Sequence, residues 1–299
     1  MAFRNVVVEN PARISVKNQQ LIINTEAEHS LPLEDISSLL LESTQSTITT
    51  AALSKLGQCG CAVFVCDEKH MPCAVLTPFA CHSRGFAVLK AQLNMGEVLK
   101  KQLWQSIVKA KIKNQARCLK MCGYSEASEG LFNMAEEVRS GDSGNIEAVA
   151  AHRYFPALFG KSFIRGSDNG INAALNYGYA ILRGCIARDL AVYGFQPELG
   201  LHHRNELNSF NLADDLIEPF RPLIDLMVYT CFDMDGELDK YKKRQLLNCL
   251  NLDILSGKQK HSASYAIERL VQSLSRSISS GKAGLILPEL IELKQHSYE

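Results

Sequence analysis

Hydrophobic and polar residues alternate over much of the first eighty positions. Segment 14–17 has an apolar residue at every second position, and the apolar run 21–23 follows it after the turn-like sequence Lys-Asn-Gln-Gln. Such patterns between turn residues are typical of β-strands, and a series of them predicts a small sandwich-like sheet. Thr49 is a favourable N-cap, so segment 49–60 predicts one short helix among the strands. The predicted strands cover 6–8, 14–17, 21–23, 37–41, 62–65 and 74–76.

The hydrophobic period becomes helical from about residue 85 onward. Leu89, Leu93 and Leu99 begin an apolar stripe at the spacing of one helix face. Gly-rich or Pro-containing interruptions divide the remainder into further predicted helices at 126–139, 145–159, 170–193, 211–231, 239–255 and 262–279. The pattern therefore predicts an α+β protein. A small N-terminal β-sandwich-like domain at 1–80 is followed by a larger all-α domain at 81–299.

Composition favours a soluble globular protein. Hydrophobic residues make up 46% of the 299 positions, which is enough for a sizeable core. No apolar run approaches the roughly 18 residues that a membrane span needs. The first residues do not resemble a secretory signal, and the ten cysteines include no Cys-x-x-Cys pair that would indicate a zinc knuckle. We therefore expect a cytoplasmic protein with reduced thiols and no membrane partner.

The charge is balanced over the whole chain but not along it. Lys plus Arg and Asp plus Glu each number 32, whereas segment 81–120 carries nine basic residues against the single acid Glu97. Such a segment suits a polyanion, although a solvated helix face is an alternative interpretation. The candidate DNA-binding residues in it are Arg84, Lys100, Lys101, Lys109, Lys111 and Lys113.

Acidic residues and histidines are concentrated in segment 200–225. Asp214 and Glu218 are four residues apart and share one face of a predicted helix, just after a histidine pair. Arg221 could neutralise Glu218 in a simple salt bridge, or the two acids could bind a divalent cation. Oxygen ligands with one imidazole suit Mg²⁺ or Mn²⁺, and together with a basic segment they indicate phosphodiester chemistry. Pro219 and Pro222 are expected to bend the helix at its acidic end.

Several motifs resemble one known family. They include Leu-Asn-Tyr-Gly-Tyr-Ala-Ile-Leu at 175–182, Gly-Leu-His-His at 200–203 and, most specifically, Leu-Ile-Glu-Pro-Phe-Arg-Pro at 216–222. A further match begins at Glu147 and continues Ala-Val-Ala-Ala-His-Arg-Tyr-Phe. With these motifs the chain resembles, nearly end to end, the CRISPR-associated integrase that inserts new spacers into a repeat array. In the sequence of this last motif, the chain is most similar to family members from systems with a single-protein RNA-guided effector.

The resemblance implies that the helical domain at 81–299 is the catalytic and DNA-binding domain and that a Glu, a His and a further acid make a metal site in it. Carried over motif by motif, the catalytic residues and metal ligands are Glu147, His203 and Glu218, and the cofactor is Mg²⁺ or Mn²⁺. Taken alone, Glu147 is more simply explained as an acid that complements its helix dipole. His202 remains an alternative to His203, and Asp214 and Asp215 remain alternatives to Glu218.

The same resemblance implies a reaction and a set of partners. A 3′-hydroxyl of a short DNA fragment attacks a phosphodiester at the edge of a repeat, so neither ATP nor a protein nucleophile is required. The expected partners are double-stranded DNA, as fragments and as CRISPR repeat, a second copy in a homodimer, and a small CRISPR-associated adaptation protein in a dimer-of-dimers assembly. The resemblance is also compatible with contact between this protein and the RNA-guided effector. The alternatives are a metal-dependent endonuclease without integration, and a catalytically silent DNA-binding scaffold.

Overall fold

The computed structural model describes residues 4–68, 71–76, 85–232 and 237–297. Strands dominate up to residue 76, and helices dominate from residue 85. The mixed α+β class, with a β region followed by a helical region, is therefore confirmed. The predicted domain boundary at residue 80 and the candidate Arg84 lie outside the described residues.

The described residues of the β region form two four-stranded sheets. One has the order β1-β5-β7-β8 and the other β4-β3-β2-β6. The strands are β1 (Arg4–Val8), β2 (Arg13–Lys17), β3 (Gln20–Asn24), β4 (Glu28–Pro32), β5 (Ile36–Leu41), β6 (Thr47–Ile48), β7 (Ala62–Cys66) and β8 (Pro72–Leu76). All six predicted strands are present, and the short strands β4 and β6 were not predicted because neither has an alternating apolar pattern.

Local chemistry explains the hairpin that starts the second sheet. Asn18 and Gln19 both adopt positive φ, at 51° and 59°, and Lys17 pairs with Gln20. Two consecutive positive φ values match the right-handed twist of a two-residue hairpin, and asparagine tolerates them better than most residues. Buried Ile14 and Leu21 then face the same core as Leu39 of the first sheet. The two sheets are thus joined by a common apolar core.

The first sheet also connects the β region to the helices. β5 is buried along its whole length, because its two faces belong to different cores. A short helix, α1 (Thr50–Gln58), covers the inter-sheet core and is capped by the Thr49 side chain, as predicted. On the other face, Phe64 of β7 packs so closely on Gly184 that a Cβ there would lie 2.1 Å from the ring. Only glycine fits this contact without movement.

The helical region is built around one long central helix, α3, which contributes ten buried residues. The helices are α2 (Gly85–Leu93), α3 (Glu97–Met121), α4 (Ser125–Glu137), α5 (Ile146–Phe159), α6 (Gly170–Val192), α7 (Asn211–Ile217), α8 (Arg221–Cys231), α9 (Lys240–Leu247) and α10 (Ala263–Ser280). The single helix predicted at 211–231 is interrupted by a 3₁₀ turn, Glu218–Phe220, at the two prolines. No helix among the described residues is long and apolar enough to cross a membrane.

One predicted helix is wrong in its second half. The helix expected at 239–255 ends at Leu247 and continues as a 3₁₀ turn. It is followed by a small sheet of β9 (Asp253–Ser256), β10 (Gln259–Ser262) and β11 (Pro288–Glu289). Gly257 and Lys258 have φ of 61° and 72°, so they form the tight turn between β9 and β10. The apolar residues at 252–255 fit a strand as well as a helix, and this turn determines the outcome.

Candidate active site

Three segments approach one another beside the middle of α3. The first turn of α5 carries Glu147, the 3₁₀ turn between α7 and α8 carries Glu218, and the loop before α7 carries His202 and His203. Trp104 of α3 lies under this loop, and Lys111 lies two turns further along the same helix. The sequence-predicted site residues therefore come from distant parts of the chain to one region of the fold.

Glu147 and Glu218 meet at a single positively charged group. Lys111 Nζ lies 2.6 Å from Glu147 Oε1 and 2.5 Å from Glu218 Oε2. Arg221 Nε donates to the other oxygen of Glu218, Oε1, at 2.8 Å. The ion pair between Glu218 and Arg221 that the sequence suggested is thus present, but it uses only one carboxylate oxygen.

Burial strengthens the electrostatic interactions within this group of charged side chains. Glu218 retains 7% of its side-chain exposure and Lys111 12%. Burial opposes ionisation of Glu218, but the charges of Lys111 and Arg221 outweigh it and lower the pKa of Glu218 to about 2. Burial likewise disfavours the Lys111 ammonium, but Glu218 and Glu147 outweigh it and raise the lysine pKa. Glu218 and Lys111 are therefore both charged at neutral pH.

One oxygen of Glu218 has an incomplete set of partners. Oε2 is buried and close to Lys111 Nζ, but the two are not aligned as a hydrogen bond and the oxygen accepts none from any described residue. Buried carboxylate oxygens usually accept at least one directed hydrogen bond. Within the described part of the chain, its compensation is the nearby ammonium charge. This oxygen is accordingly a good candidate for a cation ligand.

The backbone of Glu147 is fixed by a neighbouring acid. Asp142 accepts hydrogen bonds from the N–H groups of Ile146 and Glu147, at 2.9 and 3.0 Å, and so satisfies two free donors at the start of α5. Asp142 and Asn145 adopt positive φ, at 49° and 51°, where the chain turns into the helix. The side chain of Glu147 consequently leaves α5 in one defined direction, toward Lys111.

The histidine loop is held by Asp215. Its fully buried carboxylate accepts hydrogen bonds from three successive backbone N–H groups, those of Leu201, His202 and His203, at 2.6, 3.0 and 3.2 Å. Its Oδ1 is also 2.6 Å from Nδ1 of the His203 ring. Because a carboxylate only accepts, Nδ1 carries the proton in the neutral ring, and Nε2 is left as the electron-pair donor.

The charge around His203 stabilises its protonated form. The hydrogen bond to Asp215 raises the pKa of His203 most, and the charges of Glu218 and Asp214 add to the effect. The His203 side chain is 43% exposed, so the ring is open to solvent beside the buried Asp215. Asp214 itself bonds to Asn208 at 2.7 Å and lies 3.8 Å from Arg183.

The two histidine rings point in different directions. Their planes are 86° apart, with centroids separated by 5.7 Å. His202 stacks flat on the buried indole of Trp104 at 4.3 Å, whereas His203 meets the same indole edge-on at 5.9 Å. Sequence reasoning did not assign a function to Trp104. The sequence distinguished Trp104 only as the single tryptophan of the chain, and the structure shows it among the buried residues of α3.

The structure brings two of the three predicted ligands to one point and directs the third to Asp215. Among residues 4–68, 71–76, 85–232 and 237–297, no three His, Cys, Asp or Glu side chains are already arranged around a metal position. The three-ligand set therefore remains a prediction. Lys111, expected to contact DNA, instead lies between the acids, and sequence reasoning missed this because helix spacing alone does not say which lysine is buried.

The other described basic candidates of α3 are exposed or partly exposed. Lys109 and Lys113 are 3.8 and 2.7 Å from Glu136 of α4, and Lys100 is 3.5 Å from Glu97. Lys101 is exposed. These pairs are at the surface, where an ion pair typically contributes less than about 1 kcal/mol and can be exchanged for another anion.

The architecture defines the class of fold to which the protein belongs. A casposase bound to an integration product has the same fold over 95% of this chain and 92% of its own, with a TM-score of 0.76 and 19% sequence identity. A chain of a Cas6-RT-Cas1–Cas2 complex matches 96% of this chain and 36% of its own, with a TM-score of 0.72 and 20% identity. The fold is thus shared by casposase and Cas1 proteins.

Sequence comparison identifies the family. Residues 6–245 match the family described as CRISPR associated protein Cas1. The chain is 44% identical over 304 aligned positions, covering both proteins fully, to the CRISPR-associated endonuclease Cas1 of Neisseria meningitidis serogroup C (strain 8013). The chain belongs to the Cas1 family, and the resemblance to the spacer-acquisition integrase is confirmed.

Proposed function

We propose that this protein is a metal-dependent DNA integrase that inserts short DNA fragments as new spacers into a CRISPR repeat array. The observation that carries the proposal is the meeting of Glu147 and Glu218 at a single cation position, at 2.6 and 2.5 Å from Lys111 Nζ. Membership of the Cas1 family supports it. The likeness to a casposase bound to an integration product agrees with strand transfer rather than with hydrolysis alone.

The residues present fit a hard divalent cation. Glu147 and Glu218 offer carboxylate oxygens, of which Glu218 Oε2 lacks a directed hydrogen bond, and His203 offers Nε2. Two oxygens and one imidazole suit Mg²⁺ or Mn²⁺, with water completing the coordination. Bound there, the cation would lower the pKa of the attacking 3′-hydroxyl and stabilise charge on the scissile phosphate.

Neighbouring side chains keep these ligands in place. Asp215 fixes the orientation and tautomer of His203, Arg221 holds Glu218 through Oε1, and Asp142 holds the backbone of Glu147. Partners of this kind typically change metal affinity or activity 10- to 100-fold when removed. The four contacts on Asp215 also argue that it positions His203 rather than serving as the third ligand.

The DNA supplies the nucleophile, and the protein supplies a charged surface. We infer that Lys100, Lys101, Lys109 and Lys113, with Arg84, contact phosphates of the fragment or the repeat. The surface ion pairs of these lysines with Glu97 and Glu136 are weak enough to be replaced by phosphate. The Cas1–Cas2 complex among the structural neighbours supports a small adaptation partner, and we propose a homodimer that joins it as a dimer-of-dimers.

A strand-transfer assay tests this proposal. A short duplex with labelled strands is incubated with a supercoiled plasmid carrying the repeat, with Mn²⁺ or Mg²⁺, with and without the small partner. Integration predicts label joined covalently to the plasmid at repeat edges, and no joining in EDTA or with Glu147→Gln. Relaxed plasmid without joined label would identify an endonuclease, and binding without either product would identify a silent scaffold.

A further inference from the structure

Lys111 differs from every other basic candidate of α3 in its surroundings. Its side chain is only 12% exposed, and its ammonium contacts two carboxylates from other elements, Glu147 of α5 and Glu218 of the 3₁₀ turn. Lys113, which lies two residues further along the same helix, retains 36% exposure and pairs with Glu136 at the surface. A buried lysine has been removed from water, and the acids must replace that hydration.

The two acids in turn depend on this ammonium. Glu218 is buried and Glu147 keeps 22% of its side-chain exposure, and two carboxylates that approach one atom within 2.6 Å repel each other strongly unless a cation lies between them. Arg221 compensates Glu218 only on Oε1, so the shared side of the site has Lys111 as its one described cation. Lysine is suited to this position because it is a compact charge on a flexible four-carbon chain, able to enter and leave without moving the helix.

The contact is electrostatic more than directional. Lys111 donates a hydrogen bond to Glu147, but its approach to Glu218 Oε2 is not aligned as one. A divalent cation at the same point would satisfy both oxygens without a directional requirement and with twice the charge. Both cations cannot occupy the position at once.

We propose that Lys111 is a resident cation that holds the acidic site together without metal and is displaced when a divalent cation binds. This inference rests on the proposed metal site. Lys111 then sets the metal affinity by competition, which keeps the site closed to metal at low concentration and keeps the acids oriented until metal arrives. It is a positioning residue for the metal site rather than a ligand.

The test compares Lys111→Met with Lys113→Met in the full-length protein. Methionine keeps most of the apolar stem and removes the charge, and both variants lose one positive charge from the same helix. Mn²⁺ affinity is measured from the free Mn²⁺ signal by electron paramagnetic resonance, and the melting temperature is measured in EDTA. Lys111→Gln replaces Lys111→Met if the latter fails to fold.

Lys111→Met should bind Mn²⁺ on the order of tenfold more tightly, equivalent to about 1.4 kcal/mol. It should melt several degrees lower in EDTA and recover this loss when Mn²⁺ is added, since the metal then replaces the missing cation. Lys113→Met should match the wild type in both measurements. Unchanged or weaker Mn²⁺ binding by Lys111→Met would overturn the competition.

Failure of the metal site itself would look different. If Glu218→Gln binds Mn²⁺ as well as the wild type does, the proposed metal site is wrong whatever Lys111 does. If Glu218→Gln abolishes binding but Lys111→Met leaves affinity unchanged, the metal site stands and the role of Lys111 is refuted. An unchanged melting temperature of Lys111→Met in EDTA would refute its part in holding the acids together.

Discussion

Gly200 allows the histidine loop to pass close to α7. A Cβ at this position would lie 2.3 Å from the carbonyl oxygen of His203 and 2.9 Å from Asp215 Oδ2. Such contacts are too short, so the Gly200→Ala protein must move the loop or the carboxylate that holds it. We expect a cost of about 1–3 kcal/mol in unfolding free energy and a large loss of strand transfer.

The matched control for this prediction is Gly130→Ala. A Cβ there meets no atom within 4 Å, and Gly130 lies inside α4. Alanine should therefore stabilise the protein by about 0.5–1 kcal/mol and leave activity unchanged. Thermal unfolding and the strand-transfer assay on both variants check the pair. Full activity of Gly200→Ala would mean that the loop geometry is not critical.

The two histidines should differ in their effect on catalysis. His203 contacts Asp215 and borders the acids, whereas His202 is stacked on Trp104. His203→Ala should abolish strand transfer while keeping DNA affinity, because it removes a proposed ligand. His202→Ala should retain most activity, at a cost of about 0.5–1.5 kcal/mol because it removes the stacking on the indole. The reverse pattern would show that His202 is the ligand.

Sequence could indicate which residue types form this site but not how they pair. The motifs at 147–155, 200–203 and 216–222 identified Glu147, the histidine doublet and Glu218 as candidate site residues. They did not reveal that Lys111 joins the two acids or that Asp215 binds four donors, since both facts depend on contacts between segments far apart in the chain.

At the scale of elements, α8 packs a buried acid against α5 and α6. Asp225 accepts hydrogen bonds from Tyr154 at 2.9 Å and from Tyr179. Burial raises the pKa of Asp225 to about 6, although both tyrosine hydrogen bonds and nearby Arg221 lower it in part. In the unfolded chain the pKa of an aspartate is about 3.9. The folded protein therefore binds a proton more tightly than the unfolded chain does.

This difference predicts a pH dependence of stability. Between about pH 4 and pH 6 the folded state holds the extra proton, so Asp225 should make stability fall as the pH rises through that window, by on the order of 2–3 kcal/mol. Denaturant unfolding at several pH values, with Asp225→Asn as comparison, measures the effect. The Asn variant should show a smaller decline with pH. Parallel curves for both proteins would contradict the raised pKa.

The hydrophobic pattern predicted most elements correctly where packing agrees with local propensity. It succeeded for α5 and α10, whose ends fall within a residue or two of the predicted ones. It failed after Leu247, where a strand forms because Gly257 and Lys258 turn it back on β10. It also missed the two-residue strand β6, which exists only through its pairing with β2.

For the whole molecule, the charged surface of α3 predicts salt-dependent DNA binding. Each phosphate that a lysine no longer neutralises should reduce the slope of log affinity against log salt by about 0.9. Reversal of Lys109 and Lys113 to Glu should therefore flatten the slope and weaken all duplexes alike. Lys111 is left unchanged in this test, because a glutamate there would place a third carboxylate between Glu147 and Glu218.

Lys55→Glu is the control for this reversal. Lys55 lies on α1, in the β region, and is not one of the proposed DNA contacts. Binding of one duplex, titrated at several salt concentrations, gives the slopes of all three proteins. If the double reversal has the slope of the wild type, the lysines of α3 are only a solvated helix face.

The proposed metal site is tested most directly by a crystal structure of the protein grown with Mn²⁺, in which anomalous scattering locates the ion. We expect one peak per chain, with oxygens of Glu147 and Glu218 and Nε2 of His203 at about 2.0–2.3 Å, and the Lys111 ammonium moved away. A peak bound instead by Asp215 or His202, or a fully loaded crystal in which Lys111 still joins the two acids, would contradict it.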